Sequence, residues 1–284
     1  MRRFGLASVI GVAALLLLSA APGHATTPGR TMEYAPGRLL DLYLPPPSAR
    51  PAPVVIWSHG SGWMADNGRD GAEVVAAHFN RRGYAVAGLA VRSSSQARFP
   101  GQLDDLRAAI QFLKGQAGLD PDRIGIMGES SGGWLAAMGA VTGQVRAAVA
   151  FYPPTDFLRM DEFMLDGCAP FNRSLGLTGC HADPRSPESL LLGCPIEQCP
   201  DKVAEANPIT YASSTSAPLL IIHGQRDILV PWQQGEMLFH AVRGTGGDAT
   251  LVLLPHGEHG QWNDYLNGSE ASWDYVLDFF DSRT

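Results

Sequence analysis

The sequence predicts an α/β fold in which helices cover both faces of a mostly parallel central sheet. Short, continuously apolar stretches recur along the chain, and such stretches are typical of strands that are buried on both faces. Segments with helical periodicity separate them, so we expect right-handed crossovers that make successive strands parallel. In a sheet of this kind the ligand site lies at the carboxyl ends of the strands.

The predicted elements begin with a hairpin formed by residues 31–34 and 39–44. Six apolar stretches then follow as predicted strands: PVVIWSHG (53–60), YAVAGLAV (84–91), RIGIMGES (123–130), AAVAFYPP (147–154), PLLIIHG (218–224) and TLVLLPH (250–256). The clearest helix has one apolar face, formed by Leu103, Leu106, Ile110 and Leu113. Further helical segments cover residues 72–81, 132–141, 232–243 and 269–280.

Residues 1–25 have the pattern of a secretory signal peptide. Arg2 and Arg3 precede an apolar run at 6–18, and small residues end the segment at Ala25. The run is shorter than the about 20 residues that a membrane span needs. We therefore expect cleavage after Ala25, export to a periplasm or to the medium, and a mature chain, residues 26–284, without a membrane span. Its length suits one α/β domain.

The charge of the chain disfavours two classes of partner. The sequence contains 21 basic and 28 acidic residues, and the predicted signal peptide holds two of the basic ones and none of the acidic ones. The mature chain therefore has a formal charge of 19 minus 28, or −9. A negative balance disfavours nucleic acids and anionic membranes as partners. No feature of the sequence indicates an oligomeric state.

All four cysteines lie in one segment that interrupts the alternation of strands and helices. In an exported protein, Cys168, Cys180, Cys194 and Cys199 predict two disulfides. Three pairings are open, although pairing sequence neighbours would close short loops. A zinc site is the alternative, but the Cys-x4-Cys spacing without a second close Cys or His pair fits zinc poorly. We interpret residues 157–206 as a small disulfide-stapled cap near the site.

The stretch MGESSGGW, residues 127–134, contains the candidate nucleophile. It places Gly-x-Ser-x-Gly between a predicted strand and a predicted helix, the context of a sharp turn that exposes a serine. Side chains two residues before and after that serine would collide across the turn. Ser130 has Gly128 and Gly132 at those positions, and Ser131 does not have both. Ser130 is therefore the predicted nucleophile, and Ser131 is predicted to offer its backbone N–H to a developing negative charge.

A serine hydroxyl needs a base, and the base needs a carboxylate that orients it. Asp227 follows the strand LLIIHG, and the last strand leads to two histidines, His256 and His259. The chain order Ser, Asp, His is the order expected for such a triad on a parallel sheet. We predict Asp227 and His259, which lies deeper in its loop than His256, and we regard Asp156 as the weaker candidate acid. A His-x-x-His metal pair would lack an evident third ligand, and no metal or organic cofactor is predicted.

The loop HGSGW, residues 59–63, follows the first buried strand and is similar to the His-Gly-Gly-Gly loop that supplies oxyanion donors. The amides of Ser61 and Gly62 are the predicted donors from this loop, and the serine at the middle position leaves open which of the two turns inward. Trp63 is a candidate wall of the acyl site, with plain packing as the alternative. His59 is predicted to form structural hydrogen bonds.

Five ordered stretches together resemble the secreted bacterial esterase/lipase branch of the α/β-hydrolase superfamily, including feruloyl- and acetyl-esterase-like members. They are HGSGW, FPGQLDDLRAAIQFL, LDPDRIGIMGESSGGWLAA, NPITYAS and LLIIHGQRDILVP. The resemblance implies an α/β-hydrolase fold, with Ser130, Asp227 and His259 as the triad and Ser131 as the donor after the nucleophile. Ser61 and the four-cysteine segment depart from the family pattern.

These residues predict a serine esterase that acts on small acyl esters, including acetyl or feruloyl esters of plant polysaccharide. The expected partner is therefore a small-molecule or polysaccharide-linked ester. One alternative is a prolyl-oligopeptidase-like peptidase, which shares the turn and the triad. Such peptidases usually carry a large propeller domain, for which we expect no room in this chain. The other alternative is a binding module that has kept the fold and lost catalysis.

Overall fold

The computed structural model describes residues 29–260 and 270–284, so the predicted signal peptide lies outside the described residues. The strands are β1 (Arg30–Ala35), β2 (Arg38–Tyr43), β3 (Ala52–Ser58), β4 (Ala85–Leu89), β5 (Leu119–Glu129), β6 (Ala148–Phe151), β7 (Leu219–Gly224) and β8 (Ala249–Leu254). These described strands form one sheet in the order β1-β2-β4-β3-β5-β6-β7-β8. The β1–β2 and β2–β4 pairs are antiparallel, and the remaining pairs are parallel. The predicted hairpin and mostly parallel sheet are confirmed.

Helices cover both faces of this sheet. They are α1 (Ala72–Phe79), α2 (Gly101–Lys114), α3 (Ser131–Val141), α4 (Ala169–Leu175), α5 (Pro187–Leu192), α6 (Pro200–Ala206), α7 (Gln233–Gly244) and α8 (Glu270–Asp281). The five helices predicted from periodicity correspond to α1, α2, α3, α7 and α8. No helix in the described ranges combines the length and the apolar character that crossing a membrane would require.

The core has two halves because side chains alternate across each strand. Every residue of β3 is buried, and Val54 and Ile56 pack on the face that carries α2, α3 and α7. Val55 and Trp57 pack on the opposite face with residues of α1 and α8. This double burial explains why the strands appear in the sequence as continuous apolar stretches, without a polar residue at every second position.

The insertion between β6 and β7 contains α4, α5, α6 and short 3₁₀ turns. Disulfides join Cys168 to Cys180 and Cys194 to Cys199, so the pairing is the one between sequence neighbours. A small apolar cluster that includes Phe171 lies beside the first disulfide. The insertion contacts the main domain at α3, where the Trp134 indole N–H donates to the carbonyl of Ala206 at 2.7 Å.

We expect reduction to add four hydrogens to the intact mass, because both disulfides are closed and the described residues contain no free cysteine. The entropy of loop closure predicts a loss of about 3 kcal/mol for opening the longer loop and about 2 kcal/mol for the shorter one. Urea unfolding of the Cys168→Ser/Cys180→Ser and Cys194→Ser/Cys199→Ser double variants measures these losses. An unchanged mass under reduction would show that the two disulfides are not closed.

Candidate active site

The strand-to-helix turn at Ser130 is built from the end of β5 and the start of α3. Ser130 has φ of 54° and ψ of −119°, in the left-handed half of backbone space that a residue with a side chain rarely occupies. Its N–H donates to the carbonyl of Phe151 at 3.0 Å, and its own carbonyl accepts from Trp134 at 2.8 Å. The neighbouring strand and the helix therefore hold the strained residue in place.

Close packing around the turn explains its two glycines. A side chain at Gly128 would collide with the carbonyl group of Gly132, and one at Gly132 would collide with the carbonyl oxygen of Ser58 at the end of β3. A side chain at Gly60 would lie 2.7 Å from the Glu129 carbonyl oxygen. The glycine spacing that selected Ser130 in the sequence thus has a direct steric cause.

The structure brings the three predicted residues into one hydrogen-bonded chain. The Ser130 Oγ atom lies 3.1 Å from His259 Nε2, and His259 Nδ1 lies 2.8 Å from Asp227 Oδ2. The competing candidates are not part of this hydrogen-bonded chain: His256 is exposed, and the Asp156 carboxylate accepts a hydrogen bond from Asn207. The geometry is that of a nucleophile, a base and an orienting acid.

Asp227 is fully buried and surrounded by hydrogen-bond donors. Its Oδ1 atom accepts from the amides of Leu229 and Val230, both at 2.8 Å, and His223 Nε2 lies 3.5 Å from Oδ2. Burial alone would raise the pKa of Asp227, but His259 and His223 outweigh burial and hold this pKa well below its ordinary value. The ionised carboxylate therefore accepts from His259 Nδ1–H, which leaves Nε2 free to accept the serine proton.

The loop at residues 59–63 contacts the turn at Ser130 through a side chain of that turn. The amide of Ser61 donates to the Oγ atom of Ser131 at 2.9 Å, so this amide is already engaged, which favours Gly62 as the donor from this loop. Among the described residues, the backbone amides of Gly62 and Ser131 donate to no other backbone group. These two amides are therefore the remaining candidate donors, and the Ser131 hydroxyl binds the loop.

A cavity of about 420 Å³ opens in front of Ser130. The predicted residues Ser61, Gly62, Trp63 and His259 line it. Trp63 is only 4% exposed and packs edge-on against Trp134 and Phe157, with ring centroids 5.4 and 5.6 Å away. Trp63 therefore lines the cavity and also packs in the core, and its role as the wall of an acyl site stays a prediction. The cavity volume is within the usual range for a small-molecule site.

Sequence reasoning missed Tyr152, which directly follows β6. Its ring centroid lies 4.5 Å from that of His259, and its hydroxyl donates to Glu129 Oε2 at 2.6 Å. Burial, followed by the charge of Glu129, raises the pKa of Tyr152 well above its ordinary value, so the phenol stays protonated. His59 Nε2 lies 3.1 Å from the other oxygen of Glu129, which confirms the structural role predicted for His59. The one available signal was the position of Tyr152 at the carboxyl end of a strand.

The cap contributes further lining residues that the sequence did not identify. Phe171, Leu175, His181 and Glu188 face the cavity from this segment. No sequence pattern connected these residues to the site, since none lies at the end of a central strand. Their role depends on how the insertion folds over the sheet.

Comparison with known proteins identifies a family. Residues 40–242 match the family model described as BD-FAE. A curated relative from Mycobacterium tuberculosis (strain H37Rv), described as a probable carboxylic ester hydrolase LipM, is 27% identical over 247 residues, which cover 80% of this chain and 54% of that protein. The chain spans about half the length of the curated relatives that it matches in this way.

Two solved structures are similar. One, described as a truncated form of carbohydrate esterase from gut microbiota, has a TM-score of 0.77 and 27% identity, with coverage of 92% of this chain and 98% of that one. The other, a bifunctional GH43-CE protein of Bacteroides eggerthii, has a TM-score of 0.73 and 30% identity, with coverage of 86% of this chain and 36% of that one. The fold that the sequence predicted is confirmed.

We expect Gly132→Ala to destabilise the protein by about 3 kcal/mol or more, because its new methyl group would overlap the Ser58 carbonyl. The matched control is Gly244→Ala in α7, where a methyl group would meet nothing within 4 Å and should change stability by less than about 1 kcal/mol. Urea unfolding measures both values. Equal stability of the two variants would contradict the steric account of the turn.

The low pKa of Asp227 predicts acid sensitivity. As the pH falls, the unfolded chain takes up a proton on this residue near the ordinary pKa of 3.8, before the folded chain does. The contribution of Asp227 to stability is therefore present above about pH 5 and lost progressively as the pH falls below about 4. In urea unfolding from about pH 5 down to about pH 2, Asp227→Asn should lose stability less steeply than the wild type. If the stability of the two proteins fell equally with pH, the acid sensitivity would not come from Asp227.

Proposed function

Because the chain belongs to the BD-FAE family of α/β-hydrolases, we propose that it hydrolyses carboxylic esters through an acyl-enzyme formed on Ser130. The observation that carries this proposal is the hydrogen-bonded chain from Ser130 through His259 to Asp227. This chain meets the cavity at Ser130 and His259, and Gly62 lines the same cavity. The proposal is supported by the relative and the solved structures that are described as ester hydrolases.

The reaction would proceed in two halves. Ser130 Oγ attacks the ester carbonyl while His259 Nε2 takes the hydroxyl proton, and the imidazolium is stabilised by the ionised Asp227. The amides of Ser131 and Gly62 donate to the oxyanion of the tetrahedral intermediate. His259 then protonates the leaving alcohol. A water molecule activated by the same histidine releases the acid in the second half.

The substrate that fits best is an ester with a small acyl group. The cavity is modest in volume, and much of its wall is apolar, including Met64, Phe171 and Leu175. Two similar structures are described as a carbohydrate esterase and as a bifunctional GH43-CE protein. These similarities support a carbohydrate-linked ester, and we propose acetyl or feruloyl esters of plant polysaccharide as the natural substrates.

We also propose that the chain is exported. The signal-peptide pattern of residues 1–25 supports this proposal. Two closed disulfides in the cap support it as well, since disulfides persist in oxidising compartments and are rare in the cytosol.

Replacement of each neighbouring serine separates their roles. We expect Ser130→Ala to lower kcat on p-nitrophenyl acetate by at least about 10⁴-fold, because the nucleophile is lost. Ser131→Ala keeps the backbone amide and removes only the acceptor of the Ser61 amide, so we expect a loss of no more than about 30-fold. Steady-state kinetics on p-nitrophenyl esters of graded chain length measure both effects.

A p-nitroanilide peptide assayed in parallel tests the peptidase alternative. Faster cleavage of the anilide than of the esters would replace the esterase proposal with a peptidase. A folded Ser130→Ala variant with wild-type turnover would show that Ser130 is not the nucleophile. Far-ultraviolet circular dichroism of each variant controls for folding.

A further inference from the structure

The cap wall of the cavity carries two buried ionisable side chains that the proposed chemistry does not use. His181 is fully buried and Glu188 is only 3% exposed, yet both line the cavity in front of Ser130. Glu188 lies in the first turn of α5, directly after Pro187. A methyl group placed on Gly62 would lie 3.3 Å from Pro187, so this turn of the cap is packed against the oxyanion loop.

The surroundings of His181 indicate that its ring is protonated. Its Nδ1 atom lies 2.7 Å from Asp161 Oδ1 and its Nε2 atom lies 3.0 Å from the carbonyl oxygen of Leu229. Both nitrogens face acceptors, and only the imidazolium can donate from both. Burial would lower the pKa of His181, but Glu188, Asp161 and Leu229 outweigh burial and raise it. Asp161 thus compensates the charge of His181 directly.

Within the described residues, Glu188 keeps one oxygen without a donor, although Ser186 and the residue's own amide bind its carboxylate. In the described part of the chain, no donor forms a hydrogen bond to its Oε2 atom. Burial raises the pKa of Glu188, against the opposing effects of His181, the residue's own amide and Ser186. Buried carboxylate oxygens without a donor are rare in proteins, because burial removes their water and the lost hydrogen bonds cost free energy unless a donor replaces them. Glu188 is one of the residues that line the cavity in front of Ser130, which points to a partner that arrives with the substrate.

We propose that Glu188 determines specificity by accepting a hydrogen bond from a neutral hydroxyl group of the ester substrate. This inference rests on the ester hydrolysis proposed for Ser130. A hydroxyl group suits the site better than a cation does, because Met64, Phe171 and Leu175 make the approach apolar and a charged group would lose its hydration there. The hydroxyl can belong to the acyl group or to the alcohol, and the chemistry at Glu188 is the same.

Two pairs of esters test the proposal. In the acyl pair, methyl 4-hydroxycinnamate is compared with methyl cinnamate. In the alcohol pair, an acetylated methyl xyloside with free hydroxyls is compared with its O-methylated counterpart. We expect the wild type to favour the hydroxyl-bearing ester by about 10-fold or more in kcat/KM in at least one pair, because a buried acceptor discriminates against a substrate that leaves it unpaired.

The variants are judged by the ratio of kcat/KM within a pair, which cancels a general loss of activity. Glu188→Leu should bring the ratio close to one, and Glu188→Gln, which keeps an acceptor oxygen, should retain part of the preference. Glu197→Leu is the matched control, since Glu197 lies exposed in the same cap and its replacement should leave the ratio unchanged. A ratio near one for the wild type in both pairs would overturn the proposal. So would a ratio that Glu188→Leu does not change.

Calorimetric binding of the same esters to Ser130→Ala keeps this inference separate from the proposed function. If the wild type cleaves none of the esters but Ser130→Ala binds the hydroxyl-bearing one more tightly, ester hydrolysis fails and the role of Glu188 in binding stands. If the esters are cleaved but neither kinetics nor binding depends on the hydroxyl, the inference about Glu188 fails and ester hydrolysis stands.

Discussion

The close approach of β3 to the first turn of α3 is the constraint on which the candidate site depends. The Ser58 carbonyl oxygen occupies the space that a side chain at position 132 would need. Since α3 starts against the strand ends, the chain must turn sharply after β5, and Ser130 takes a positive φ. The Ser130 hydroxyl is exposed to the cavity as a result. The strain of that conformation is tolerated because the Phe151 carbonyl and the first turn of α3 bind the backbone on both sides.

The loop that follows β7 and carries Asp227, residues 225–231, connects the sheet to the cap. Leu229 donates its amide to Asp227 and accepts a hydrogen bond from His181 through its carbonyl. Leu229 therefore contacts both the buried acid and the disulfide-stapled insertion. The shape of the cavity and the orientation of His259 therefore depend on the same short loop, which ties the cap to the main domain in addition to its contact with α3.

Three buried carboxylates lie near the cavity, and their surroundings differ. Asp227 accepts from two amides and from His259. Glu129 accepts from Tyr152 and faces His59. These two acids have their partners within the folded chain and hold other groups in position. Glu188 retains an oxygen without a donor in the described residues, and this difference separates a recognition group from the two structural acids.

The sequence by itself determined the alternation of strands and helices, the turn at Ser130 and the order of nucleophile, acid and base. Each of these depends on local chemistry: continuous burial of short strands, glycines where side chains would collide, and loops that directly follow strands. Only the tertiary structure decided that the Ser61 amide binds Ser131, that Tyr152 lies over His259 and that Glu188 enters the cavity wall. Those contacts join residues far apart in the chain, and side-chain direction in irregular loops follows from packing that no local pattern encodes.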